Sequence, residues 1–255
     1  MIIHRAPQGS AEWHAARAGC ITASMFSTAR KRVGELTEQQ AAFVSSIHNG
    51  SSSAEAAKAA GYKAIPRSDI ITRALSGEPV GDFSDVAKDY AFRIAVERIG
   101  GVPLDDGFEN WAMRRGHELE PEARRRHEAK TGVLVEQVGF VTTDDGLFGA
   151  SADGFIEEDG GAEYKCFVAP DRLRSIILAG DISEVIDQCD GGMWITGRKF
   201  WDFCLYCPAL EPCGRDLTVI RIERDEGRIE ALERDLLAFA RMADEFEAAL
   251  RQQAA

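Results

Sequence analysis

Apolar residues recur along this chain with two periods. The longest helical pattern is at the C-terminal end, where Ile229, Leu232, Leu236, Phe239, Met242 and Phe246 follow one another at helical spacing. That stripe predicts a helix from Glu226 to about Arg251 with one buried face. Val86, Tyr90, Ala91, Ile94, Ala95 and Ile99 repeat the pattern and stop at Gly100-Gly101, which predicts a second amphipathic helix. A third helical stretch starts near Phe108 and runs to Thr131-Gly132. Pro121 interrupts it, and the missing N–H calls for two abutting helices or a bend. Shorter helices are expected after Ser10, a side-chain cap with Glu12 in the first turn, and over Pro170–Leu178 and Glu184–Trp194. Residues 133–135, 138–141, Phe200–Tyr206 and Asp216–Arg224 read as strands.

The stretch from Gly149 to Lys165 combines both kinds of signal. A run carrying Ser151 and Asp153 is followed by the turn residues Glu157 to Gly161 and then by Glu163-Tyr164-Lys165, which together predict a β-hairpin. The two-residue period of a strand places Glu163 and Lys165 on one face and Tyr164 on the other. The hairpin brings Asp153 to within about one cross-strand pair of Glu163. Two carboxylates and an ammonium then converge, as a metal site or as a solvated salt-bridged turn. By the same period Ser151 and Asp153 share a face.

Residues 30–84 differ in character. Thr37 caps a helix with Ala41, Phe43, Val44 and Ile47 on its core side, a Gly/Ser turn breaks it, and Ala54 to Ala60 form a second helix ended by Gly61. The arrangement resembles the helix-turn-helix of phage terminase small subunits, and a plain helical hairpin accounts for it equally well. Arg30, Lys31, Arg32, Lys58, Lys63 and Arg67 are candidate phosphate contacts. Pro66, Gly77, Pro79 and Gly81 mark the exit as loop.

At 255 residues the chain can bury a substantial core without disulfides. Its six cysteines fit reduced thiols better than a disulfide framework. No apolar run approaches the roughly 20 residues that span a bilayer, and no signal-peptide pattern follows Met1, so a cytoplasmic protein is expected. The formal charge of −12 argues against a general nucleic-acid coat protein, though not against an enzyme with one basic groove.

Several separated motifs then fall into one order: Gly116 with Glu120, Ser151-x-Asp153-Gly154, Glu163-x-Lys165, and Gln188 followed by Met193-Trp194. With Glu12-Trp13-His14-x-x-Arg17 through Ile21-Thr22-Ala23-Ser24, this order resembles the lambda-exonuclease or YqaJ-type phage recombination nucleases of the PD-(D/E)xK class. The resemblance implies an α/β fold, a central mixed β-sheet flanked by helices. It implies a single nuclease domain over residues 1–255 with a helical insertion at 30–84, an addition relative to shorter relatives. The implied activity is Mg2+-dependent exonuclease digestion of one strand of linear double-stranded DNA from the 5′ end, in phage-type homologous recombination, with Mn2+ as a substitute metal. Asp153 and Glu163 are the implied ligands, Glu120 a third carboxylate or the holder of a second metal, and the Tyr164 carbonyl a backbone ligand. Lys165 would position the attacking water or stabilise the charged transition state, and Gln188 would orient the water or the phosphate. Arg17, Ser24 and Ser151 match a pocket for the terminal 5′-phosphate, where a guanidinium fork and hydroxyls suit a dianion. Trp13 would pack beneath Arg17, and Thr22 would assist in the pocket. The implied partners are duplex DNA ends, a single-strand annealing recombinase and further copies in a homotrimer, in a phage or prophage protein of a bacterial host. Where some relatives carry another acid before the hairpin, this chain has Thr143-Asp144-Asp145, and that role stays unassigned.

Two other readings stay open on sequence. Cys204, Cys207 and Cys213 with distant Cys20 are similar to the cysteine pattern of AddB-type and CRISPR-associated iron–sulfur nucleases. A non-catalytic DNA-binding adaptor built on the helical insertion is the other. Intact Asp153, Glu163 and Lys165 speak against it.

Overall fold

The computed structural model describes residues 1–78, 80–104, 111–166 and 169–252, with the side chains at 112 and 113 set aside; Pro79 and Phe108 lie outside the described residues. The chain divides into two compact units, residues 1–30 with 89–255 and residues 31–88. Chain order begins with β1 (Ile2–His4), α1 (Ala11–Arg17), β2 (Ile21–Thr22) and α2 (Phe26–Ala29). Next come β3 (Arg32–Val33), α3 (Glu38–His48), α4 (Ser53–Ala59), α5 (Asp69–Leu75), β4 (Asp82–Phe83) and α6 (Asp85–Gly100). Then follow α7 (Trp111–Thr131), β5 (Val135–Glu136), β6 (Phe140–Thr142), β7 (Phe148–Ser151), β8 (Gly154–Ile156) and β9 (Gly160–Cys166). The chain continues with α8 (Pro170–Ala179), α9 (Ser183–Thr196), β10 (Phe200–Tyr206), β11 (Leu217–Glu223) and α10 (Glu226–Gln252).

In the 31–88 unit, Thr37 forms a capping box with Gln40 at the start of α3, and Ser52 forms another with Glu55 at the start of α4. These caps satisfy backbone N–H groups that the first helical turn leaves over. The helix α5 corrects the reading of this stretch as loop. Proline and glycine bracket it, but Ile70, Ile71, Ala74 and Leu75 line one face and pack with Phe43, Val44, Ala56 and Ala57. The apolar spacing therefore outweighs the breakers, which lie outside its seven residues.

The larger unit holds two mixed sheets, a four-stranded one in the order β1-β6-β7-β2 and a five-stranded one in the order β11-β10-β9-β8-β5. Strands β2 and β7 pair in parallel, as do β9 and β10, and the remaining pairs are antiparallel. The run from Gly149 is therefore not one strand. β7 ends at Ser151 in one sheet, and β8 begins at Gly154 in the other. Ala152 and Asp153 carry the chain across, so the face shared by Ser151 and Asp153 in a continuous strand does not exist.

Helix α7 continues through Pro121, so of the two expectations the pair of abutting helices is not what forms. Its Leu119 and Ala123 pack on Ala162, Tyr164, Cys204 and Tyr206 of the five-stranded sheet. Helix α10 buries Ile229, Leu232, Leu236 and Phe239, the first four positions of its stripe. Arg30 joins α2 to the helices behind the sheets, with hydrogen bonds to Asp187 at 2.5 Å and to Asp235 at 2.9 and 3.0 Å. That use as a structural clamp replaces the phosphate contact expected of Arg30. Among the described residues no helix is long and apolar enough to cross a membrane.

Candidate active site

The site forms where α7 crosses the strands of the predicted hairpin. Gly154 opens β8 against β5, and a Cβ there would stand 2.2 Å from Val135 Cγ1. Only glycine fits, which fixes the residue after Asp153. The Asp153 backbone N–H donates to the Ala162 carbonyl at 3.2 Å, and its side-chain Oδ2 accepts from the Tyr164 N–H at 2.6 Å. The carboxylate therefore lies beside Glu163-Tyr164-Lys165, as the hairpin predicted. Glu163 is buried, and its Oε1 accepts from Lys165 Nζ at 2.6 Å. Alternation along β9 sends Tyr164 to the opposite side, into the core with Leu119 and Ala123.

Glu120 arrives from α7, where a Cβ at Gly116, one turn earlier, would make ordinary contact with the Cys166 carbonyl at 3.7 Å. Burial raises the pKa of Glu120; Arg124 and His117 oppose that rise, and Glu163 adds to it. Burial also pushes Asp153 well above the ordinary range, with repulsion from Glu163 and Glu120 adding to the shift against Lys165 and the Tyr164 N–H. Three carboxylates thus share one electrostatic neighbourhood. Burial works against the charge on Lys165, but Glu163 and Asp153 outweigh it and hold its pKa above the usual lysine value. Lys165 is accordingly a fixed cation and not a proton acceptor. Cys189 of α9 is completely buried and lies within reach of the charges on Glu163, Lys165 and Asp153; its neighbour Gln188 is half-buried at the same turn.

An all-oxygen donor set of three carboxylates and the Tyr164 carbonyl suits a hard divalent cation, and the mutual repulsion of the acids is what such a charge relieves. Among the described residues, no three His, Cys, Asp or Glu side chains are gathered closely enough to enclose an ion. Each carboxylate is instead engaged by a donor of the chain itself: Arg124 for Glu120, Lys165 for Glu163 and the Tyr164 N–H for Asp153.

The second group of expected residues comes from α1 (Arg17), the turn after β2 (Ser24) and the end of β7 (Ser151). Arg17 Nη1 donates to Ser151 Oγ at 2.9 Å, and its guanidinium lies 4.2 Å over Trp13 and 5.4 Å from the Phe140 ring. Trp13 supports Arg17 as the spacing suggested. Ser24 is exposed and exchanges a 3.4 Å contact with Thr22. Parallel pairing of Ile21 with Phe148 and Thr22 with Gly149 directs the chain from Thr22 to Ser24 alongside the approach to Ser151.

The iron–sulfur alternative is not assembled. Cys20 packs with Trp13 and Phe140, whereas Cys204 lies in the cluster around Tyr164 and Leu119. All six cysteines are free, and Cys213 is exposed.

Sequence reasoning missed five residues behind the site. His127 is fully buried, with Nδ1 3.0 Å from the Tyr164 hydroxyl and Nε2 3.2 Å from Asp202 Oδ2. Asp202 also accepts from Arg221 Nε and Nη2 at 2.8 and 2.9 Å. Arg124 holds Glu120 at 2.8 Å, and the Gln137 amide oxygen, turned toward it, accepts from both of its terminal nitrogens at 2.8 and 3.0 Å. The signal for Arg124 and His127 was present: they follow Glu120 by four and seven residues, the spacing of one helix face.

With its mixed sheets flanked by helices and acids and a lysine at the crossing of α7 and β9, the chain has the α/β architecture of a PD-(D/E)xK nuclease. The model of the YqaJ-like viral recombinase domain matches residues 73–199. The sequence match and the structural likenesses support a nuclease of the lambda-exonuclease/YqaJ type. Among solved structures it is similar to an alkaline exonuclease, LHK-Exo, from Laribacter hongkongensis, at 27% identity, covering 96% of this chain and 98% of that one with a TM-score of 0.67. The same relative in complex with dAMP matches over the same shares at 27% identity with a TM-score of 0.65. A phage-related exonuclease from Haemophilus somnus 129PT, 15% identical over 92% of this chain and 96% of that one with a TM-score of 0.54, shares the fold. No curated protein sequence matches the chain.

Proposed function

We propose that this chain is a divalent-metal-dependent exonuclease that hydrolyses one strand of linear double-stranded DNA from the 5′ end, in phage-type homologous recombination. The observation that carries this reading is the convergence of Glu120, Asp153 and Glu163 with the ammonium of Lys165. In this reading Asp153, Glu163, Glu120 and the Tyr164 carbonyl hold Mg2+, or Mn2+ in its place. The bound ion supplies a Lewis-acidic centre that lowers the pKa of a water and neutralises phosphate charge. Lys165, held cationic by its acidic neighbours, stabilises the negative charge that builds on the phosphate. Gln188, on the helix turn beside Cys189, orients the attacking water or the phosphate oxygen. Arg17 and Ser151, already hydrogen-bonded to each other, receive the terminal 5′-phosphate together with Ser24, and so set which end is cut.

The 31–88 unit is in this reading a helical insertion within one nuclease domain. Duplex DNA ends, a single-strand annealing recombinase and assembly as a homotrimer in a bacterial host's cytoplasm are the partners and setting that the family resemblance supports. The test is nucleotide release from duplex DNA labelled at either end, with Mg2+ and with a chelator. Release from 5′ ends that needs the metal, and that Asp153→Ala or Lys165→Ala reduces by about a hundredfold or more, is the expected result. Undiminished digestion by both variants would sink the mechanism, and release from 3′ ends would reverse the polarity.

A further inference from the structure

Arg124, which lies outside the motifs, donates to one acid of the cluster. Glu120 and Arg124 are one helical turn apart on α7, and their 2.8 Å ion pair is largely enclosed, with 20% and 13% of the side chains exposed. The guanidinium is fixed at its far side by the Gln137 oxygen from the segment after β5 and lies 6.0 Å from the Tyr164 ring. Its Nε is buried with no hydrogen-bond partner. That stranded donor shows that the position is set by the terminal nitrogens, between Glu120 and Gln137, and not by saturation of the whole group. Glu120 feels Arg124 first, then His117, with Glu163 opposing them. A divalent ion bound to Glu120 has to share that carboxylate with a resident cation.

We infer that Arg124 is the built-in counter-ion of Glu120: it holds the carboxylate in place before a divalent cation arrives, competes with the cation for it, and so sets how tightly the site binds metal. Arg124 is a positioning residue in this scheme, with Gln137 as its anchor. The inference rests on the proposed role of Glu120 as a metal ligand.

The test needs neither DNA nor turnover: Mn2+ binding to the full-length protein, read as loss of the free-ion electron paramagnetic resonance signal. Arg124→Met keeps the stem beside Tyr164 and removes the charge. It should bind Mn2+ about tenfold more tightly, the scale of one nearby like charge at a high effective dielectric. Arg124→Lys restores a cation and should return the affinity to that of the wild type, which a purely structural role would not produce. Glu120→Gln should weaken binding, and adding Arg124→Met to it should then give no gain. Unchanged or weaker binding in Arg124→Met, with Glu120→Gln weakened as expected, overturns the inference alone. Unchanged binding in Glu120→Gln overturns Glu120 as a ligand and the inference with it, and no Mn2+ binding by the wild type overturns the metal-dependent function itself.

Discussion

Asp202→Ala isolates the support beneath the site. Asp202 is 1% exposed and accepts three hydrogen bonds, two from Arg221 and one from His127. Asp202 can only accept, so Nε2 of His127 carries the hydrogen that faces it. Truncation leaves that imidazole, itself fully buried, with an unmet donor costing about 1–3 kcal/mol. A small cavity adds about 1 kcal/mol. Arg221 is 45% exposed and regains water, so its lost pairing is discounted heavily. The sum is about 3 kcal/mol, or on the order of a 6 °C lower Tm for a chain of this size. Burial disfavours the Asp202 carboxylate, but Arg221 and His127 outweigh it and lower its pKa below the ordinary aspartate value. A depressed carboxylate contributes stability above the unfolded-state pKa of about 3.9 and loses it as pH falls through the folded value. The deficit of Asp202→Ala should therefore be constant from about pH 5 upward and shrink below about pH 4. Calorimetric melts over that range provide the measurement. A deficit under about 0.5 kcal/mol, or one that widens in acid, would refute the reasoning.

Three further outcomes follow from single contacts. Gly154→Ala forces a Cβ onto Val135, 2.2 Å away, and should cost about 1–3 kcal/mol; Val135→Ala in the same chain should recover part of the loss, and full additivity in a double-mutant cycle would show that the two do not meet. Arg30→Ala leaves Asp187 and Asp235 facing each other without their shared cation; since burial already raises the Asp187 pKa, with Arg30 opposing, the loss in Tm should be larger at neutral pH than at about pH 4, and a pH-independent loss would assign it to packing. Arg17→Ala should slow digestion chiefly on 5′-phosphorylated ends, and equal slowing on 5′-hydroxyl ends would show that Arg17 does not serve a phosphate pocket.

Local periodicity settled more of this protein than long-range pairing. Ser10 and Thr37 as caps, the buried stripe from Ile229 to Phe239, and the return of Asp153 onto Glu163-Tyr164-Lys165 were legible because each depends on residues within a few turns or one hairpin. The helix α5 was legible too, at Ile70, Ile71, Ala74 and Leu75, but the flanking proline and glycine outvoted it. The order of motifs likewise carried the family. Tertiary structure alone decided that the chain changes sheets between Ser151 and Gly154, and that β9 pairs in parallel with β10. It alone turned Arg30 from a DNA contact into a clamp and placed His127, Asp202 and Gln137 behind the acids. Such pairings join side chains 13 to 205 positions apart. Helical and strand periods repeat every few residues, so they cannot encode which distant element supplies the partner; that choice falls to the packing of the whole fold.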